Sequence, residues 1–330
     1  MLEISASAID KYLAENPLPP LNFDTDKPLT IRDKLLAQTG GRIDRKEIRR
    51  RAGEAMQRNL PHHRQCINTA KEWAIIGGGP SINDEIETIR KLSRRGVNIV
   101  SVNKSHDWLL EHNIVPWAHI LLDPKEWVKD YVKRPRKDVR YFVSSQCHDS
   151  VFEALKDYPV FLWHAGQDFP EGPEPNCYLK EMWPTKPWFI VAGPTTVGLR
   201  AMYLGSNIGA EHFHLFGMDS SRSRGKLHGY EKPEAPDATS GALTYTVNGI
   251  RRTFETNSHM ARQQMDFDKM LEDLKELVRK HQLPRNFEVT VYGYGLLPFF
   301  AATRGLHANP EYNRDPTLVP GYLEAESQAA

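Results

Sequence analysis

From Trp73 onward, the hydrophobic positions fall into short apolar runs separated by amphipathic stretches. The runs have the length of single strands, and the stretches between them carry apolar residues at the spacing of one helix face. Strands and helices that alternate in this way form a mostly parallel sheet with crossover helices on both faces. The pattern predicts an α/β fold with a Rossmann-like, mostly parallel sheet.

The elements of this fold follow from the same periodicities. Strands are expected at residues 73–76, 98–102, 118–122, 140–144, 160–163, 212–216 and 288–292. Helices are expected at 83–95, 105–111, 125–133, 149–156, 195–204 and 261–281, with a short helix from Leu296. Two long segments, 165–187 and 217–257, interrupt the alternation and are interpreted either as lids over a binding site or as disordered loops. Within the second segment, Asn248-Gly249 between two apolar runs predicts a β-hairpin.

The chain divides into three regions by composition. Residues 1–70 are polar and are expected to form a helical N-terminal extension, broken by prolines at 17–20 and by glycines at 40–41. The charged run 44–59 is expected to be a solvated helix, and Pro61 to begin a short helix that ends near Ala70. A nucleotide-binding domain at 71–305 and a proline-containing tail at 306–330 complete the predicted organisation.

Composition excludes several classes of protein. The 330 residues include 43 basic and 42 acidic side chains, so nucleic-acid binding, which needs a strongly basic surface, is not expected. No apolar run is long enough to span a bilayer, and the first residues lack the apolar core of a signal peptide. The three cysteines are far apart and match no zinc motif. We expect a cytoplasmic protein, and its oligomeric state stays open.

A glycine-rich turn follows the first predicted strand: Gly77, Gly78, Gly79, Pro80 and Ser81. Glycines permit positive φ angles and let an anion approach the backbone. Ser81, with an acidic residue three positions later, predicts a helix N-cap, so free amides and the positive end of a helix would face a ligand. The context predicts a phosphate-binding turn, although its spacing is neither GxGxxG nor GxxxxGK[ST]. A tight turn without a ligand is the alternative.

The stretches IIGGGPSINDEI and VNIVSVNKSHDWLLEHNIVP, with the strand that ends in Asp123, resemble the MptE-like superfamily. That group includes archaeal 6-hydroxymethylpterin diphosphokinases and bacterial motility-associated-factor proteins linked to flagellin glycosylation. The chain is more distantly similar to bacterial sialyltransferases that use a CMP-sugar. The resemblance covers about residues 55–300. It departs from the family pattern at Pro116-Trp117 and at residues 192–196, so the donor's base and sugar are left open.

The resemblance implies roles for individual residues. It places the glycine turn, Asn103 and Gly217 against a nucleotide. It implies catalytic roles for Asp219 in the Gly217-Met218-Asp219 pattern, for His228 shortly after it, and for His259 as a general base that deprotonates an acceptor. An ordinary polar or surface histidine is the alternative at His228 and His259.

Other polar residues are candidates from their positions alone. Asp123 and Asp219 follow predicted strands, at the sheet edge where α/β proteins bind ligands, and they are candidate Mg²⁺ ligands or helix caps. His212 and His214 share one strand face, but no third ligand of suitable spacing completes a metal site. His62 and His63 are expected at the surface.

Three functions stay open at this point. The resemblance slightly favours glycosyl transfer from a nucleotide-sugar donor to a small-molecule or glycan acceptor. The second is Mg²⁺- and ATP-dependent 6-hydroxymethylpterin diphosphokinase activity, and the third is a nucleotide-binding module without catalysis.

Overall fold

The computed structural model describes residues 45–166, 189–191, 193–194, 196–231, 240–247, 250–280 and 287–320. The predictions for residues 1–44, for most of the 165–187 segment and for the end of the tail lie outside these ranges. None of the helices among the described residues is long and apolar enough to cross a membrane.

The strands form one large sheet and one hairpin. In chain order they are Glu72–Ile76 (β1), Asn98–Val102 (β2), Ala118–Leu121 (β3), Arg140–Ser144 (β4), Val160–Ala165 (β5), Ile190–Val191 (β6), His212–Phe216 (β7), Ser240–Val247 (β8), Ile250–Asn257 (β9) and Glu288–Val291 (β10). Among the described residues, the large sheet has eight strands in the order β10-β7-β1-β2-β3-β4-β5-β6, and all of its pairings are parallel. The parallel sheet predicted from the sequence is confirmed.

Helices cover both faces of this sheet. They are Arg45–Gln57 (α1), Ile86–Arg94 (α2), Ser105–Glu111 (α3), Asp149–Ala154 (α4), Val197–Asn207 (α5), Ser258–Arg279 (α6), Leu296–Thr303 (α7) and Pro310–Arg314 (α8). Alternate residues of β1 belong to different hydrophobic clusters, because successive strand side chains point to opposite faces. Trp73 and Ile75 pack with residues of α5, α6 and α7, whereas Ala74 and Ile76 pack with residues of α2 and α3.

The strand order reverses direction between β1 and β7. From β1 the chain builds outward through β2 to β6, and it then returns to place β7 on the other side of β1. In open α/β sheets, ligands bind at the carboxyl ends of the strands where the order reverses in this way. The fold therefore points to the loops that follow β1 and β7.

The predicted hairpin is confirmed. β8 and β9 pair antiparallel along their whole length, from Ser240 opposite Asn257 to Val247 opposite Ile250. The turn residues Asn248 and Gly249 lie outside the described residues. Phe254 of β9 is fully buried in a cluster with Leu296 and Phe299 of α7, which fixes the hairpin against the domain.

Two predicted helices differ from the structure. Residues 61–70 contain only the short 3-10 helix His63–Gln65, because this segment runs beside β5, where the amide of Leu162 donates to Pro61 O at 2.8 Å. The same packing buries His62 and His63, so their expected surface position is wrong. The helix predicted at 125–133 is the 3-10 helix Glu126–Tyr131.

Candidate functional site

Two loops meet at the carboxyl ends of β1 and β7. The amide of Gly77 donates to Phe216 O at 2.8 Å, and the amide of Gly79 donates to Gly217 O at 2.8 Å. A Cβ at position 77 would lie 2.6 Å from Gly217 O, a distance that no side chain tolerates. None of the three turn glycines has a positive φ, so the interpretation based on positive φ angles is wrong. At positions 77 and 79, glycine is needed because the backbone of Gly217 lies directly against the turn.

Asp219 is buried beneath the turn, with 1% of its surface exposed. Its Oδ2 accepts hydrogen bonds from Ser81 N at 3.2 Å and from Ser81 Oγ at 3.0 Å, and its Oδ1 has no hydrogen-bond partner among the described residues. Desolvation raises the pKa of Asp219 to about 7, although the hydrogen bonds from Ser81 act in the opposite direction. A carboxyl group with this pKa is partly protonated at neutral pH.

The contact with Asp219 also changes the expected role of Ser81. The prediction that Ser81 caps a helix is wrong: Ser81 lies inside the 3-10 helix Pro80–Asn83, and α2 begins only at Ile86. Its amide and hydroxyl are directed at the buried carboxyl group instead of at a helix end. Ser81 therefore stabilises the loop contact from within.

The turn leaves one amide for a ligand. The amides of Gly77, Gly79 and Ser81 are all engaged with residues 216–219, and Pro80 has no amide hydrogen. The amide of Gly78 has no partner in the part of the chain that the structure describes. The turn therefore has one backbone amide that could donate to a phosphate, whereas the sequence predicted several free amides at a helix end.

Residues 228–231 lie over Gly78. The amide of Gly229 donates to Gly78 O at 3.0 Å, and a Cβ at position 78 would lie 2.6 Å from Tyr230 Oη and 3.0 Å from His228 Cδ2. The rings of His228 and Tyr230 are stacked, with centroids 5.2 Å apart and an interplanar angle of 8°. The structure thus brings His228, a residue for which the resemblance implied a catalytic role, to the glycine turn.

His228 is paired with a carboxylate. Its Nδ1 lies 2.7 Å from Glu231 Oε2, and this hydrogen bond is the main reason that the pKa of Glu231 is lowered. A carboxylate at Nδ1 holds the imidazole in the tautomer whose Nε2 is free to accept a proton. Lys104 lies on the other side of Glu231, with its Nζ 3.9 Å from Glu231 Oε1. Both side chains of the His228–Glu231 pair are about one-third exposed, so a substrate can reach them.

The end of β2 lies beside the glycine turn, because β2 pairs with β1. Asn103 has φ of 52°, in the left-handed region that asparagine adopts more readily than most residues. The buried hydroxyl of Ser105 donates to Ile76 O at 2.6 Å and accepts from Val102 N at 3.0 Å, which ties the ends of β1 and β2 together. Asn103 therefore directly follows the strand that pairs with β1 and whose end is tied to the end of β1.

His259 lies in the first turn of α6 and is exposed. One helical turn later, Gln263 Oε1 accepts from Ser220 Oγ at 2.9 Å, and Gln263 Nε2 contacts Met218 Sδ. Residues four apart share a helix face. His259 is thus on the side of α6 that faces the loop after β7, but it has no carboxylate partner among the described residues.

A family model described as 6-hydroxymethylpterin diphosphokinase MptE-like matches residues 50–225, which is more than half of the chain. The chain belongs to the MptE-like family. Membership in this family supports a transferase-type role, and the resemblance expected from the sequence is confirmed.

Other comparisons add little to this membership. A MAf glycosyltransferase from Magnetospirillum magneticum AMB-1 is a similar solved structure, with 16% identity and a TM-score of 0.44. The similarity covers 66% of this MptE-like chain and 33% of that protein, so the chain spans about a third of its length. No curated protein matches.

The match to the MptE-like family includes only part of the site. It contains the glycine turn, Asn103 and the start of the loop after β7, and it stops three residues before His228. The family match therefore gives no information on His228 or Glu231.

The two predicted Mg²⁺ ligands lie apart in this MptE-like protein. Asp123 follows β3 and Asp219 follows β7, and β1 and β2 lie between these strands. Asp123 Oδ1 accepts from Lys125 N at 3.0 Å, so Asp123 caps its own turn. With strands about 4.8 Å apart, the two strand ends are about 14 Å from each other.

Sequence reasoning missed three residues of the site: Lys104, Tyr230 and Glu231. Lys104 directly follows Asn103, and Glu231 is three positions after His228, so each lies close in sequence to a predicted site residue. The missing signal was spatial, because only the fold shows that residues 228–231 lie on Gly78.

Proposed function

We propose that this chain transfers a glycosyl group from a nucleotide-sugar donor to a hydroxyl group of a small-molecule or glycan acceptor. The observation that carries the proposal is the His228–Glu231 pair directly above Gly78. It combines a proton acceptor oriented by a carboxylate with a backbone position that only glycine can occupy. Membership in the MptE-like family supports the broader assignment as a transferase.

The donor's phosphate fits the free edge of the turn. The amide of Gly78 provides one hydrogen bond, and Lys104 provides a positive charge that is exposed and held within 5.9 Å of the ring centroids of both Tyr131 and Tyr230. Ion pairing with phosphate is the ordinary role of a lysine at such a position. Asn103, fixed at the end of the adjacent strand, is proposed to contact the nucleotide.

The chemistry assigned to the site is a displacement at the anomeric carbon. The acceptor oxygen forms a bond to that carbon as the bond from the carbon to the donor phosphate breaks, and the electron pair of that bond leaves with the nucleotide. His228 Nε2 takes the proton of the acceptor hydroxyl, and Glu231 stabilises the imidazolium that results. Lys104 stabilises the negative charge on the leaving phosphate.

A shared magnesium ion does not fit this arrangement. Two carboxylate oxygens that bind one Mg²⁺ at 2.0–2.1 Å lie within about 4.2 Å of each other. The separation of β3 from β7 by two strands does not favour such a contact between Asp123 and Asp219. The proposed glycosyl transfer therefore does not use a metal ion held by Asp123 and Asp219.

The second candidate is diphosphate transfer to a hydroxymethylpterin. The description of the family names this activity, and Asp219 Oδ1 is a buried oxygen with no hydrogen-bond partner among the described residues. One carboxylate together with substrate phosphates is a common way of holding Mg²⁺. In this reaction, positioning and metal charge matter more than a base.

Nucleotide binding and catalysis are tested in sequence. Thermal-shift measurements with CMP, UDP, GDP, ADP, ATP and pterins, with and without Mg²⁺, identify the donor, because a ligand at a hundred times its dissociation constant stabilises the protein by about 2.7 kcal/mol. The matching transfer reaction is then assayed for the wild type and for His228→Ala, Glu231→Gln and His259→Ala.

The proposal expects His228→Ala to lower turnover about 10²–10⁴-fold, the usual contribution of a general base, with donor affinity nearly unchanged. Glu231→Gln is expected to lower turnover less, because the base remains. An EDTA-sensitive activity that survives His228→Ala would favour the diphosphokinase. A loss of turnover in His259→Ala alone would show that His259 of α6 is the base. Donor binding without any transfer would favour a non-catalytic nucleotide-binding module.

A further inference from the structure

A second cluster of ligating side chains lies at the opposite edge of the sheet. Glu72 begins β1, His212 begins β7 and Glu288 begins β10, and His212 is the direct cross-strand neighbour of both glutamates. His214 projects from the same face as His212, two residues along β7. Because the site described above is at the carboxyl ends of the strands, this cluster is independent of it.

The ligand atoms converge on one point. His214 Nε2 lies 3.2 Å from Glu72 Oε2, and His212 Nδ1 lies 3.9 Å from the same oxygen. His212 Nδ1 is also 3.8 Å from Glu288 Oε2. Two atoms bound to one tetrahedral ion at 2.0–2.1 Å lie about 3.3 Å apart, so an ion would draw the ligand atoms of Glu72, His212 and His214 closer together, and the exposed Glu288 carboxylate would turn toward them. In the part of the chain that the structure describes, Glu72, His212 and His214 are the group of three ligating residues whose atoms lie within 4.8 Å of one another.

The other nitrogen of each imidazole has a partner of its own. His212 Nε2 lies 3.1 Å from Thr290 Oγ1, and His214 Nδ1 lies 3.0 Å from the Tyr292 hydroxyl. Metal-binding histidines generally donate their second N–H to such a group, which fixes the ring and its tautomer. Both hydroxyl groups come from β10 and its continuation, so one neighbouring strand orients both rings.

Charge and access suit a cation. Two carboxylates offset the charge of a divalent ion, and the side chains of Glu72 and Glu288 are 37% and 67% exposed, which leaves an open path from solvent. Arg95 contacts Glu72 Oε2 at 3.5 Å, but its side chain is 62% exposed and can turn into solvent.

We propose that Glu72, His212 and His214, with Glu288 as a fourth ligand, bind a divalent transition-metal ion of the Zn²⁺ type. Two imidazoles select such an ion over Mg²⁺ or Ca²⁺, which prefer oxygen ligands. The ion would connect β1, β7 and β10 at their first residues. It serves the stability of this sheet edge and takes no part in the transfer reaction.

The test is Zn²⁺ binding to full-length chain that has been stripped of metal with a chelator. A competition titration against a chromophoric chelator should give one tight site per chain, and Zn²⁺ but not Mg²⁺ should raise the melting temperature. Glu72→Gln and His212→Asn should each weaken Zn²⁺ binding at least tenfold and remove the rise, since even indirect supports of a metal site change affinity 10–100-fold.

The matched control is His148→Asn, at a histidine that caps α4 far from the cluster, where asparagine preserves the cap. It should bind Zn²⁺ like the wild type. Circular dichroism and the metal-free melting temperature establish that each variant is folded. No tight site in the wild type, or equal binding by the wild type and both cluster variants, would overturn the proposal and leave an ordinary hydrogen-bonded cluster.

Discussion

Replacing the buried carboxyl group beneath the glycine turn should change how the stability of the protein depends on pH. In Asp219→Asn, the amide oxygen can still accept the hydrogen bonds from Ser81 N and Oγ, and the amide nitrogen takes the place of Oδ1, which has no partner among the described residues. The shape of the site is preserved. What disappears is the ionisable group.

The magnitude follows from the raised pKa. The pKa of Asp219 rises from 3.8 to about 7, and at about 1.4 kcal/mol per unit this corresponds to ~4 kcal/mol. The folded state holds the proton that the unfolded state loses above about pH 4, so stability falls as the pH rises from about 4 to 7 and then levels off. Asp219→Asn should lack this component. Relative to the wild type, its stability should therefore increase between pH 4 and pH 8.

The measurement is urea unfolding of both proteins from pH 4 to pH 8, analysed as the difference between the two free energies of unfolding. Other titrating groups cancel in this difference because both proteins contain them. Asp130→Asn, at an exposed position, controls for the removal of one carboxylate. Parallel profiles for the wild type and Asp219→Asn would show that the buried group is ionised at the same pH in the folded and unfolded states, and would refute the reasoning.

Three further substitutions test the construction of the site. Gly79→Ala would place a Cβ against Asp219 Oδ2 and should destabilise the fold by about 1–3 kcal/mol, seen as a lower urea midpoint; an unchanged midpoint would contradict the tight loop contact. Gly78→Val should displace Tyr230 and abolish nucleotide binding in a protein with a normal circular dichroism spectrum, whereas calorimetry showing wild-type affinity would place the donor elsewhere. Ser105→Ala should cost about 1–3 kcal/mol, because Ile76 O and Val102 N lose a buried partner, and equal stability would show that water replaces the hydroxyl.

The fold could be predicted because its main signal is local. A strand buried on both faces is a continuous apolar run, and β1, β2 and β4 begin and end within a residue of their predicted bounds. The helix expected at 61–70 does not form because of a contact with a part of the chain that is distant in sequence. That segment pairs with β5, about a hundred residues later in the chain, and no periodicity within the segment contains that information.

The sequence singled out the two loops that meet after β1 and β7, but it did not show how they meet. The glycine turn and Gly217 were both selected from the sequence, yet the reason that glycine is needed at 77 and 79 is the approach of the two loops to each other. The partnership of His228 with Glu231 depends on a loop conformation, and the contact of Glu72 with His214 depends on strand order. Strand order places together residues that the sequence separates widely.

The position of β7 beside β1 has a consequence for how the protein forms. Lys71 and Glu211, which are ion-paired at the start of these strands, are 140 residues apart in the chain. At about 5–20 residues per second, a ribosome needs roughly 7–28 s to complete that interval. Throughout this time one edge of β1 remains unpaired, and its residues Trp73 and Ile75 lack the later residues of the chain that bury them. The contact between the loops that follow these two strands is therefore among the last parts of the sheet to form. During this long stage the nascent chain can aggregate through the unpaired edge of β1.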